Sequence, residues 1–254
     1  MFLYDAAKGT TSRLTHNDIN DTVRSWSPDG TRIAFTQSRV PIGIFAQYWY
    51  PESLHIIEIM TGAVTDVYEY AQSVGEVSWS PDGSHLAFLG TVEDSEELYD
   101  RRAFLAASDN SDVKQLTPGV GPEEFGLGWV IGWSPDGRFI AHSNLYFGSE
   151  ASTETQYIHD VTGGADASID LGIDATLRVR GWSSDGTRLL FMQYPPRPND
   201  QHPLALIGVD PLNGDTERLV EVPAQIKDSL ATAIAPDASQ LAFIFDGSSR
   251  FSVE

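Results

Sequence analysis

The chain has 254 residues, no cysteine and a formal charge of −20, from 36 acidic and 16 basic side chains. That balance repels nucleic-acid phosphate and anionic lipid, so nucleic acid is not expected as a partner, and the missing thiols exclude disulfides, thiolate metal sites and a cysteine nucleophile. No stretch approaches the roughly 18 apolar residues of a membrane helix, and the opening MFLYDAAKGTTSRLTH lacks the basic-then-apolar pattern of a secretory signal.

In chain order the first predicted elements are two short strands, 2–5 and 12–15, joined by a Gly-bearing turn. Then a phrase appears that returns five times: a small residue, Trp, Ser, Pro, Asp, Gly and an apolar run. The copies span 26–35, 79–88, 133–142, 182–191 and, in worn form, 234–243, with starts 49 to 54 residues apart. Self-similarity at such a period marks one supersecondary unit of about four strands. In the second copy the strands are predicted at 74–80, 85–89, 102–107 and 113–117. Between the first two, Pro pre-sets φ, Asp82 bonds back to the backbone and Gly83 takes the left-handed conformation that closes a tight hairpin. Trp26, Asp29 and Gly30, Trp133, Asp136 and Gly137, and Trp182, Asp185 and Gly186 repeat that chemistry, so these residues belong to hairpin and core. The second strands, RIAF, HLAF, FIAH, RLLF and QLAF, put two apolar side chains on one sheet face.

The chain therefore opens on a third and fourth strand and closes on a first and second, 231–235 and 240–245. The expected fold is all-β: one domain over 1–254, a five-bladed propeller of four-stranded antiparallel blades, its last blade assembled from the N- and C-terminal strand pairs. Such closure removes exposed edge strands. A piece of a larger propeller is the competing origin, and it too can close.

WSPDGTRIAF, WSPDGSHLAF and WSPDGRFIAH, each followed by LYD-like and LT-like strands, resemble the TolB-type propeller repeat along essentially the whole chain. The resemblance implies a fold shared by periplasmic TolB, by bacterial surface and secreted proteins, and by propellers that gate prolyl oligopeptidase-type hydrolases. It implies a periplasmic or extracellular setting, with no single activity. The departures are Ser184 for Pro in the fourth copy, and Ile234 for Trp and Ala238 for Gly in the fifth. The last blade is thus expected to be the most loosely held.

In this architecture first strands line the axis, and the loops entering them share a face with those joining strands two and three. Residues 38–53 form one such loop, with Phe45, Tyr48, Trp49 and Tyr50 and no acidic side chain until Glu52. Projecting aromatics of this kind are typical of binding hot spots; alternatively the loop folds back and buries its own rings. Trp129 falls in the crossover 117–129. Near the repeat Trp stand Arg24, Arg178 and Arg180, with Glu76 close by. Converging arginines would make a positive well for a carboxylate, phosphate or acidic peptide; alternatively they pair with Glu76, Asp21, Asp174 or other carboxylates. The histidines, His16, His55, His85, His142, His159 and His202, fall at scattered repeat phases and the acidic runs lack calcium-loop spacing, so neither metal nor cofactor is expected. The string Gly132-Trp133-Ser134-Pro135-Asp136 fails the nucleophile-elbow pattern at its last Gly, and no catalytic residue is assigned.

The reading is a monomeric, non-catalytic binding or scaffold propeller that recognises a protein segment or small acidic ligand. Arg24, Arg178 and Arg180 supply charge, Glu76 orients them, and Tyr48, Trp49 and Trp129 supply contact area. A hydrolase or lyase, a gating propeller detached from its hydrolase, and a pure repeat scaffold are the alternatives.

Overall fold

The computed structural model describes residues 1–41, 52–71, 74–91, 101–116, 125–147, 152–162, 167–169, 177–193, 204–222, 229–235 and 241–245. Its regular elements are strands throughout. A hairpin, β1 (Phe2–Asp5) and β2 (Thr10–Arg13), precedes a first four-stranded sheet of β3 (Ile19–Trp26), β4 (Arg32–Pro41), β5 (Glu52–Glu58) and β6 (Val64–Ala71). The second sheet holds β7 (Val74–Trp79), β8 (His85–Thr91), β9 (Arg101–Ala107) and β10 (Val113–Gln115). The third holds β11 (Phe125–Trp133), β12 (Phe139–Phe147), β13 (Ser152–Asp160) and β14 (Ala167–Ile169). The fourth holds β15 (Leu177–Trp182), β16 (Leu189–Gln193), β17 (Leu204–Val209) and β18 (Thr216–Val222), and a last hairpin pairs β19 (Ser229–Ile234) with β20 (Leu241–Phe245). Each sheet is a meander of sequence neighbours. The chain divides into two compact units, 1–133 with 142–153, and 134–141 with 154–254. Among the described residues no helix is long and apolar enough to cross a membrane.

The repeated phrase builds the same clasp four times. In the first sheet Ser27 Oγ donates to Asp29 Oδ1 (2.6 Å) and accepts from Arg32 N (2.9 Å), while Gly30 N donates to Ser27 O (2.9 Å). The second Asp bond goes outward, from Thr31 N to Asp29 Oδ1 (3.0 Å). Ser80 with Asp82, Ser134 with Asp136, and Ser183 with Asp185 repeat the geometry. All four serines are buried, so their hydroxyls satisfy backbone donors that would otherwise be orphaned at the hairpin mouth. Gly83 has φ +70, and a Cβ there would also lie 3.0 Å from the Arg32 guanidinium, so this glycine is required twice over.

Sheets are held together through the repeat Trp. In the first unit Ala34, Leu54, Ile56 and Val67 of the first sheet pack against Val77, Trp79, Leu86 and Phe88 of the second in one buried cluster. Trp79 Nε1 donates to Ser25 O (3.4 Å), and the Arg32 guanidinium lies 4.8 Å from the Trp79 ring while donating to Gly83 O (2.7 Å) and Ser108 Oγ (3.0 Å). Trp133 Nε1 makes the equivalent bond to Ser78 O (3.2 Å). In the second unit Phe139, at the repeat position of Arg32, stacks on Trp182 at 5.9 Å. An aromatic ring there does the work of the cation.

The other face of the first sheet presents Ile33, Phe35 and Ile57, with Met1 and Leu14 against them. Val23 and Trp26 lie opposite Phe35 and Ile33 on that face. They are 50% and 48% exposed, whereas Val77 and Trp79, their counterparts in the second sheet, are 9% and 7% exposed.

Among the described residues the terminal strand pairs β1–β2 and β19–β20 are two-stranded sheets. In the fifth copy Ile234 has no indole donor, and Ala235 and Ala238 stand at the clasp Ser and Gly positions. Arg188, at the position of Arg32, bonds Asp210 (3.1 Å) and Thr187 O (3.0 Å) within its own turn and sheet. Trp129 lies inside β11 and not in a crossover loop, because the third first-strand begins at Phe125.

Candidate functional site

The predicted arginines are placed by bulges. The ladder of β3 with β4 shifts register between Val23 and Ser25, which leaves Arg24 as the extra residue, and that of β15 with β16 shifts between Val179 and Gly181, which leaves Arg180 extra. A bulge re-aims one side chain without interrupting the sheet. The first strand of the second sheet shifts between Val74 and Val77, and Glu76, exposed, sits in that interval. Arg178 pairs with Met192 across the β15–β16 ladder. Tyr48 and Trp49, with Phe45 and Tyr50, lie outside the described residues.

Arg24 is held within its own unit. Its Nε donates to Thr36 Oγ1 (3.1 Å) and its terminal nitrogen to Glu52 Oε2 (3.2 Å), with side chains 23% and 21% exposed. Glu52 Oε2 also accepts Val74 N (3.0 Å), the opening residue of β7. The carboxylate against Arg24 is therefore Glu52. Asp21 is engaged elsewhere, by Thr15, Asn17, Gln37 and the Met1 amine. Burial pushes its carboxyl up, and the bonds from Thr15, Asn17 and Gln37 outweigh that and hold it below the ordinary value.

Of the histidines, His142 is fully buried at the repeat's Phe position, and His55 is buried against Phe35 with Nδ1 2.8 Å from Asp66 Oδ1. Among the described residues no group of three or more His, Asp or Glu side chains gathers as a metal site would. The repeat carboxylates are spoken for by the clasps. Hydrogen bonds from Ser27, then the Thr31 amide and hydroxyl, hold Asp29 at about 2, below its ordinary 3.8. Ser80 and Ser84 do the same for Asp82, and Ser183 and Thr187 for Asp185, each to about 2, while Ser134 lowers Asp136. A carboxylate bound this way stays ionised at neutral pH and is a poor proton donor.

Four-stranded antiparallel sheets built on a Trp-Ser-Pro-Asp-Gly repeat give the chain a β-propeller fold, similar to that of TolB-like proteins. Solved structures similar to the chain include putative TolB from Agrobacterium tumefaciens (TM-score 0.50, 16% identity, 95% of this chain and 86% of that one). They also include the β-propeller domain of the Trilobed protease from Pyrococcus furiosus (0.51, 14%, 85% and 60%) and a prolyl endopeptidase (0.63, 16%, 96% and 36%). In sequence the chain is similar to the uncharacterized peptidase YuxL of Bacillus subtilis, 29% identical over 132 residues, which are 50% of this chain and 18% of that protein. The chain thus matches less than a fifth of that relative's length. No protein-family model matches the chain.

The clasp carboxylates make a pH-dependent contribution of fixed sign. Their folded-state values are depressed, so the stabilisation is present above the unfolded value near 3.8 and is lost as pH falls through about 2. The thermal midpoint followed by circular dichroism should fall between pH 4 and pH 2, less steeply in Asp29→Asn with Asp185→Asn than in the parent chain; parallel slopes would mean that the clasps do not set it.

Proposed function

We propose that the chain is a non-catalytic binding propeller that takes a protein segment or a small acidic ligand where its first strands bulge. The observation carrying this reading is one bulge used twice: Arg24 and Arg180 are each the extra residue close before a repeat Trp. In a chain of net charge −20 an arginine at such a bulge is a local exception to the field, suited to carboxylate or phosphate. Arg178 adds to that charge, Glu76 orients it, and Tyr48, Trp49 and Trp129 supply contact area. Under this reading the partner is a protein, a peptide or a small anion.

The five copies are read as one five-bladed ring over residues 1–254. Support comes from strand phase: β19–β20 is a first-and-second pair and β1–β2 a third-and-fourth. A second functional reading is a propeller that gates a hydrolase domain. The sequence similarity to a peptidase favours it, and it differs in partner, not in fold.

Arg24→Ala with Arg180→Ala should weaken binding of a tetraglutamate peptide, measured by titration calorimetry, by about tenfold or more, as expected for losing charge-assisted hydrogen bonds. Unchanged affinity with a lowered thermal midpoint would make the arginines structural. For the sheet-to-sheet packing inside the first unit, Trp79→Ala should cost about 3–5 kcal/mol in urea unfolding, because its indole is buried. A cost below about 1 kcal/mol, the usual range for surface substitutions, would contradict that packing.

A further inference from the structure

Three parts of the first unit meet at one oxygen. Glu52 Oε2 accepts from the Arg24 guanidinium at 3.2 Å and from Val74 N at 3.0 Å. Arg24 is a bulge residue whose Nε is fixed by Thr36 Oγ1 at 3.1 Å. Val74 opens the first strand of the second sheet, with its side chain 2% exposed in the cluster that joins the two sheets. Glu52 opens β5, directly after the aromatic-rich segment 42–51. A guanidinium and a backbone N–H converging on one carboxylate oxygen is how proteins hold a bound carboxylate. Here the chain supplies that carboxylate itself.

The socket of the first sheet is not repeated in the second or the fourth. In the fourth sheet the ladders put Met192 where Thr36 stands and Leu204 at the position of Glu52. In the second sheet the same ladder position is Arg101, paired with Thr91 as Glu52 is with Ser38. The repeat therefore does not require a carboxylate at this position, and β5 would form without one. The pair is about one-fifth exposed on each side, open enough for exchange with solvent species and screened enough that the attraction survives physiological salt.

We infer that Arg24 and the Val74 amide form a carboxylate receptor which Glu52 occupies as an internal ligand, and that an external carboxylate, from an acidic peptide or a small organic acid, binds by displacing it. This deepens the acidic-ligand reading above and rests on it: it names the anion as a carboxylate and makes Glu52 the residue that sets the affinity. A ligand that must compete with a tethered group binds with reduced apparent affinity, and removing the competitor restores it.

The probe is the tetraglutamate peptide, titrated into the full chain. Glu52→Gln keeps an oxygen for the Val74 amide and removes the competing charge, so it should tighten binding by about tenfold, the worth of one partly exposed charge-assisted bond. The gain should vanish in Glu52→Gln with Arg24→Gln. Glu52→Asp, whose oxygen falls short of one donor, should give a smaller gain in the same direction. Equal or weaker binding by Glu52→Gln, in a protein whose affinity still drops on Arg24→Ala with Arg180→Ala, would overturn the internal-ligand inference and leave the binding surface standing. A gain that persists without Arg24 would overturn it as well, by assigning the effect to net charge. If neither Glu52 variant folds, Glu52 is a structural strut and the inference fails.

Discussion

A single four-stranded sheet cannot bury its own faces, and every other feature of this chain follows from how that face is covered. The cover is the indole of the following copy. Trp79 lies against Ala34, Leu54 and Ile56, donates to Ser25 O and carries Arg32 on its ring. Trp133 repeats the indole bond one sheet further on, and Phe139 and Trp182 repeat the stacking with two rings. In the sheet before Ile234, where the indole is replaced, Arg188 bonds Asp210 of its own sheet.

The Ser–Asp clasp is the local counterpart of that long-range contact. It closes each first hairpin tightly, so that the Trp and the apolar run that follows start in fixed register. With the far end of the first strand pinned, a single inserted residue must appear as a bulge, as it does at Arg24 and Arg180. The structural repeat and the candidate site are thus two outcomes of one geometry: the clasp end is uniform, and the bulge end is where the copies differ.

Much of the fold was legible because its signals are local. Pro, Asp and Gly in sequence specify a turn, and alternating apolar residues specify a face, so the strand ends expected for the second sheet fall within two residues of those observed. The buried serine was equally legible and passed over: Ser27, Ser80, Ser134 and Ser183 occupy one repeat position, and a small polar residue kept beside Asp should have pointed to a hydroxyl bridge. The partner of Arg24 was harder. Glu52 is distant in sequence, and only the β4–β5 register brings it alongside, although its standing as the first acid after a long apolar and aromatic run was a signal. The bulges were hidden because one extra residue in a strand leaves no compositional mark. Trp129 was misplaced for a related reason, since Gly126 and Gly128 read as turn residues although the strand runs from Phe125 to Trp133.

The central claim is that adjacent sheets are coupled through the Trp socket and not merely placed side by side. A double-mutant cycle on Arg32→Ala and Trp79→Ala, measured by urea unfolding, isolates that coupling from the separate losses of the Gly83 and Ser108 bonds. The account predicts an interaction energy of about 0.5–1 kcal/mol, the range of a partly exposed cation–π contact. Strict additivity of the two substitutions would contradict it.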